Sequence, residues 1–271
     1  MASTGRWLLK PPPPEARTLL FGFPYAGGGA SLYGKWPAQV GDAWFCPLQP
    51  PGREHRFPEP PARTHAEFTE SLVEFLSGYA DRAFAFFGHC GGVPLELSTT
   101  LALQDRGLPL PMRIFASGWG APHRRLYGRL NFVDLATVDL RAEVRALFAR
   151  LGVPARDDMV DVAAEILRVD LELHRPHLYD AARFLPVPAT VIGWTDDDVV
   201  APAEVCHGWE ECAEVRYEVL AGEHFAFTRC PAALASLLAS DMADAGPPAA
   251  PAGDLRRKVS PLDVTVGGDG F

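Results

Sequence analysis

The segment Gly88-His89-Cys90-Gly91-Gly92 sets a thiol between glycines, with an apolar run at 84–87 before it and Val93-Pro94-Leu95 after it. A nucleophile flanked in this way sits on a strained turn between a buried strand and a helix. Side chains at Gly88 or Gly92 would collide with neighbouring backbone there, and Pro94 suits the first turn of the helix that follows. A free cysteine in a Gly-rich turn also fits a small core residue. The strand before it and the helix after it favour a nucleophile at Cys90. The helix N-terminus and a nearby imidazole would favour its thiolate, where a serine would need its proton removed during attack.

A strained turn of this kind takes its partners in the chain order nucleophile, acid, histidine. The late histidine is His224, in Gly222-Glu223-His224-Phe225, just after the last strand signal. The acid should follow the preceding strand, where Asp196, Asp197 and Asp198 are adjacent and spacing alone does not choose among them. One such carboxylate would fix the imidazole tautomer and support its charged form. The loop Phe23-Pro24-Tyr25-Ala26-Gly27-Gly28-Gly29 has neither the spacing of a phosphate-binding Walker loop nor its Lys-Ser/Thr. It is instead expected to supply one oxyanion N–H from Ala26, with the second coming from Gly91.

These residues need a scaffold, and the composition allows one. The 271 residues are 48% hydrophobic and 22% charged, which excludes wholesale disorder, collagen and coiled coil. A formal net charge of −9 has the wrong sign for nucleic-acid binding. Five cysteines without a C-x2-C pair argue against a disulfide framework or structural zinc. There is no secretory apolar region and no apolar run of the roughly 20 residues that span a bilayer, so a cytoplasmic protein away from membranes is expected.

Strand signals at 18–23, 43–48, 83–87, 113–117, 187–193 and 215–220, most of them near-continuously apolar, alternate with helical patterns at 66–79, 93–104, 203–210 and 232–242. This alternation predicts an α/β fold, a mostly parallel central sheet flanked by helices. Between about 123 and 185 only helical spacing is found, at 135–151 and 159–173, which predicts a helical lid beyond the carboxyl ends of the strands. Residues 1–15, with Pro11–Pro14, read as a stiff, exposed lead-in, 16–243 as the folded domain, and 244–271 as a flexible tail.

Three further signals read as structural. His174-x2-His177 could share a helical face, but Pro176 intervenes and a third ligand is missing, so a lid-helix end is favoured over a metal site. Cys206-His207 and Cys212 read as packing or exposure. Arg124, Arg125 and Arg129 read as a solvated face, with docking of an acidic partner as the alternative.

The chain resembles the free-standing type II thioesterases of polyketide and nonribosomal peptide assembly lines. The resemblance rests on Phe23-Pro24-Tyr25-Ala26-Gly27-Gly28, on the stretch from Gln49-Pro50-Pro51-Gly52-Arg53-Glu54 to Pro60, and on Phe87-Gly88-His89-Cys90-Gly91-Gly92. It continues through Ser117-Gly118-Trp119-Gly120-Ala121-Pro122, Leu167-Arg168-Val169-Asp170 and Gly222-Glu223-His224-Phe225. It implies an α/β-hydrolase fold with a helical lid, an acid at Asp197 by the family register with Asp196 as second choice, and no cofactor. It also implies an acyl or peptidyl carrier protein as partner, with the acyl group held on the carrier's phosphopantetheine. The family normally has Ser-Met where Cys90-Gly91 stands, and two arginines where Trp119-Gly120 stands.

The expected activity is transfer of an acyl or aminoacyl group from carrier thioester to Cys90, followed by hydrolysis, with the protein acting as a monomer. The alternatives are passage of the acyl group to another carrier thiol or other nucleophile, including Dieckmann-type ring closure, as in cysteine-dependent thioesterase-like enzymes. An inactive carrier-binding scaffold, or a cysteine replacing a native serine to trap an acyl-enzyme, are the remaining readings.

Overall fold

Seven strands form one sheet in the computed structural model, which describes residues 7–245. In chain order they are β1 (Thr18–Phe23), β2 (Gln39–Val40), β3 (Ala43–Pro47), β4 (Ala83–His89), β5 (Ile114–Ser117), β6 (Ala189–Trp194) and β7 (Val215–Leu220). Their spatial order is β2-β3-β1-β4-β5-β6-β7, and only β2 runs antiparallel to its neighbour. The helices are α1 (His65–Leu76), α2 (Gly92–Asp105), α3 (Leu140–Leu151), α4 (Asp157–His174), α5 (Pro202–Val205) and α6 (Ala232–Ala245).

The central strands are apolar throughout because both faces are covered. Leu19, Phe21 and Phe23 of β1 and Phe86 of β4 share a core with Phe68 and Leu72 of α1. The alternate residues, Leu20, Ala85 and Phe87, join Leu234 and Leu238 of α6 in a second core. Side chains one residue apart on a strand point to opposite faces, so each strand feeds both cores. Edge strand β7 is instead partly or fully exposed along its length.

Between β5 and β6 no strand occurs among the described residues, and α3 and α4 pack on each other through Leu140, Val144, Val160, Ala164, Leu167 and Leu171. The α3 helix starts at Leu140, later than its apolar spacing suggests, because the Asp139 carboxylate accepts from Ala142 N and caps it there. The pattern at 203–210 is broken by Gly208 at φ 83°, leaving the short α5 and a 3-10 turn at Trp209–Glu211. The two-residue β2 has no sequence signal of its own.

The reading of the lead-in as exposed is corrected by its first described residues. Trp7 is buried edge-on against Phe68 at 5.2 Å, with the Arg56 guanidinium 5.0 Å from its ring. Leu8 bridges to Leu48, and Gln49 N donates to Trp7 O at 2.8 Å. The proline run after them drew attention from a buried aromatic anchor. At the other end α6 continues to Ala245, so residues 244 and 245 belong to the helix. The rest of the expected tail, 246–271, lies outside the described residues. Among the described residues no helix is long and apolar enough to cross a membrane.

Candidate active site

Cys90 follows β4 directly and adopts φ 50°, a left-handed conformation rare for a residue with a side chain. Its N–H donates to Ser117 O at 2.8 Å, tying the turn to β5. A Cβ on Gly88 would lie 2.9 Å from the carbonyl carbon of Gly92, and one on Gly92 would lie 2.9 Å from Phe23 O. Both glycines are therefore required by the close passage of β1, the turn and α2.

Of the three adjacent aspartates, Asp197 meets the histidine. Its Oδ2 lies 2.8 Å from His224 Nδ1, and its Oδ1 accepts from Val199 N and Val200 N, both at 2.8 Å. Asp196 accepts from the Thr195 hydroxyl, and Asp198 pairs with Arg150 at the surface. Cys90 lines the same cavity as His224 and acts on its charge. Burial works against a charge on His224, but the hydrogen bond to Asp197 and the attraction of Asp197 and Cys90 outweigh it. The imidazole pKa is raised to about 9.

A cavity of about 350 Å³ opens over this group, and Cys90, His224, Ala26, Gly91, Trp119 and His174 are among its walls. The N–H groups of Ala26 and Gly91 donate to no other group among the described residues. A point 2.9 Å from Ala26 N is where a Cβ on Gly91 would fall, so the two residues adjoin. The site thus brings together Cys90, His224, Asp197, Ala26 and Gly91, which can present a sulfur atom, an imidazole and two free N–H donors to a carbonyl.

The sequence profile of the thioesterase domain matches residues 18–172. The chain belongs to the thioesterase family. It is 31% identical over 82% of its length to a Brevibacillus parabrevis protein named linear gramicidin dehydrogenase LgrE, covering 87% of that protein. It is 28% identical to the medium-chain S-acyl fatty acid synthase thioesterase of Rattus norvegicus, over 78% of this chain and 82% of the other. A solved structure of the RedJ thioesterase, from the prodiginine pathway of Streptomyces coelicolor, superposes with a TM-score of 0.69 at 29% identity. That match covers 87% of this chain and 93% of RedJ, and the shared fold is the α/β-hydrolase fold.

Several residues that shape this thioesterase's site were not paired by sequence reasoning. Arg53 and Asp170 form a buried bidentate ion pair, with both N···O distances 2.6 Å. Asp170 Oδ2 also accepts from Gly27 N at 2.7 Å, and Arg53 donates to Gly28 O at 2.9 Å. The pair fastens α4 to the loop that carries the Ala26 N–H. Both residues lie in segments that carry the resemblance, but 117 positions separate them and only the fold shows that they touch.

Arg124, Arg125 and Arg129 are each ion-paired, to Glu211, Glu204 and Glu143 at 2.5 Å, so their charge is met locally. Cys206 is half-buried and Cys212 buried. His89 is buried, stacks on Phe227 with ring centres 3.9 Å apart, and has Nδ1 2.9 Å from Ser117 Oγ. Burial and the neighbouring His224 keep its pKa well below the ordinary range, so it is a neutral packing element beneath the turn.

Proposed function

We propose that this thioesterase takes an acyl or aminoacyl group from a carrier-protein phosphopantetheine thioester onto Cys90 and releases it by hydrolysis. The observation that carries this reading is a cavity that Cys90 shares with His224, itself hydrogen-bonded to Asp197, beside two unpaired N–H donors. The Cys90 thiolate attacks the thioester carbon, and the Ala26 and Gly91 amides receive the oxyanion. The carrier thiolate leaves and takes the proton of His224. The neutral imidazole then removes a proton from water as it attacks the acyl-Cys90 thioester. The products are the free acid and the carrier thiol, and no cofactor enters the balance. The named relatives suggest the partner, because one is a fatty acid synthase thioesterase and another belongs to a biosynthetic pathway.

The sulfur at residue 90 favours a second reading. Exchange of one thioester for another is nearly isoenergetic, so acyl-Cys90 can also discharge to a second carrier thiol or another nucleophile. Intact-protein mass after mixing with an acyl-loaded carrier, with Cys90→Ala as control, tests both. An adduct on Cys90 that turns over in water supports hydrolysis. One that persists in water and discharges onto an unloaded carrier supports transfer. A parent chain that forms no Cys90-dependent adduct with any acyl group refutes both and favours a scaffold.

A further inference from the structure

His174, the last residue of α4, lines the same cavity as Cys90 and His224. The point where a Cβ on Gly91 would fall lies 3.1 Å from His174 Nε2 and 2.9 Å from Ala26 N. The missing side chain at Gly91 therefore leaves room for an imidazole nitrogen beside the two oxyanion amides. His174 Nε2 makes no hydrogen bond among the described residues, although the residue is only 2% exposed.

The other nitrogen starts a chain of polar groups. His174 Nδ1 is 3.1 Å from His65 Nε2, His65 Nδ1 is 2.8 Å from Ser98 Oγ, and Ser98 Oγ is 3.1 Å from His177 Nε2. His65 also stacks on His177, with ring centres 3.7 Å apart. The chain thus joins the oxyanion corner to the partly exposed His177 at the end of the lid.

Burial lowers the pKa of all three imidazoles, His174 to about 4, so they are neutral near pH 7. Each neutral ring has one N–H and one lone pair, so a ring that accepts at one nitrogen donates at the other, and the direction of the Ser98–His65 bond sets that of the His65–His174 bond. If His177 donates to Ser98, Ser98 donates to His65 and His65 to His174, and His174 presents N–H at Nε2. In the reverse direction Nε2 presents a lone pair. Negative charge growing on an oxygen between the Ala26 and Gly91 amides selects the first direction, and no net charge enters the buried chain.

We propose that His174 is a third donor of the oxyanion hole, its Nε2–H bonding the acyl oxygen beside the Ala26 and Gly91 amides. His65, Ser98 and His177 are positioning residues that set its tautomer. This inference rests on Cys90 as the acyl acceptor.

Two reactions of Cys90 separate the role from a structural one. Acylation by acetyl-S-N-acetylcysteamine passes through an oxyanion. Methylthiolation by methyl methanethiosulfonate attacks sulfur and forms none. In the full chain, read by intact mass, His174→Leu should acylate about a hundredfold more slowly, with methylthiolation unchanged. His174→Gln, which keeps a donor, should recover most of the loss. Ser98→Ala leaves His174 in place and should slow acylation by about tenfold, as expected for one neutral hydrogen bond. Acylation of His174→Leu at the parent rate, an equal fall in both reactions, or a Gln variant as slow as Leu overturns the inference and leaves Cys90 catalysis standing. A parent chain that does not acylate at Cys90 overturns the catalytic reading itself, and this inference with it.

Discussion

His224 and His174 line one cavity and are equally buried, each 2% exposed, yet their imidazoles are pushed in opposite directions. Desolvation disfavours the charged form of both. His224 is hydrogen-bonded to the Asp197 carboxylate, and that bond with the influence of Cys90 raises its pKa to about 9. His174 meets a neutral imidazole, and only the more distant Asp170 opposes burial, so its pKa falls to about 4. Burial is common to both, so the partner decides whether a buried histidine is a cation or a neutral donor. One cavity can thereby hold a proton-transferring imidazolium and an uncharged hydrogen-bond donor.

The largest effect should come from removing the charge that makes His224 different. Asp197→Asn keeps the shape of the group but stabilises the wrong tautomer, and should slow acyl turnover on the order of ten-thousand-fold. A turnover assay on acyl-loaded carrier that showed only a few-fold loss would remove Asp197 from the triad.

On the His174 side, Asp170→Asn leaves Arg53 buried without a counter-charge. It should destabilise the fold by about 3 kcal/mol in denaturant titration. A change under about 0.5 kcal/mol would place the pair among surface-like interactions of little consequence.

Gly91→Ala tests the gap between the amides and His174. The new methyl would sit 3.1 Å from His174 Nε2 and 2.9 Å from Ala26 N, and nothing in it touches Asp197. Acylation should fall about a hundredfold, the cost of a displacement near 1 Å at a reacting centre. Unaltered acylation would show that this corner tolerates the methyl.

In stability against pH the two histidines have opposite signs. The raised pKa of His224 gives a contribution that is full below 6.5 and lost as pH rises through about 9. The lowered pKa of His174 gives one that is full above 6.5 and lost as pH falls towards about 4, where the unfolded ring takes up a proton that the folded ring does not. Denaturation midpoints across pH 4–9.5 should therefore flatten on the acid side in His174→Gln and on the alkaline side in His224→Gln. Identical profiles in both variants and the parent would contradict the opposed titrations.

Much of this arrangement could be read in advance. The strand at 18–23 appears with the expected bounds because a buried parallel strand is written as a continuous apolar run, and the edge strand at 215–220 keeps its expected bounds as well. Cys90 stood out because a strained turn needs glycines at fixed offsets, a local rule visible in five residues. Asp197 was separable from Asp196 and Asp198 only through the family register, since three adjacent carboxylates share one local signal and their directions differ by the turn after β6. The spacing of His174 and His177 indicates only a helix end. His174 does end α4, but which cavity that end faces depends on how the lid helices pack.

The amino-acid sequence alone determined the layered α/β architecture, the thiol on its turn and the late histidine, because each depends on periodicity or on a short backbone motif. Tertiary structure alone decided that Arg53 grips Asp170 across 117 positions, that Trp7 is an anchor, and that His174 comes close to Gly91 and Ala26. Those contacts join segments distant along the chain, and the charge of each buried group follows from the neighbour that packing brings to it.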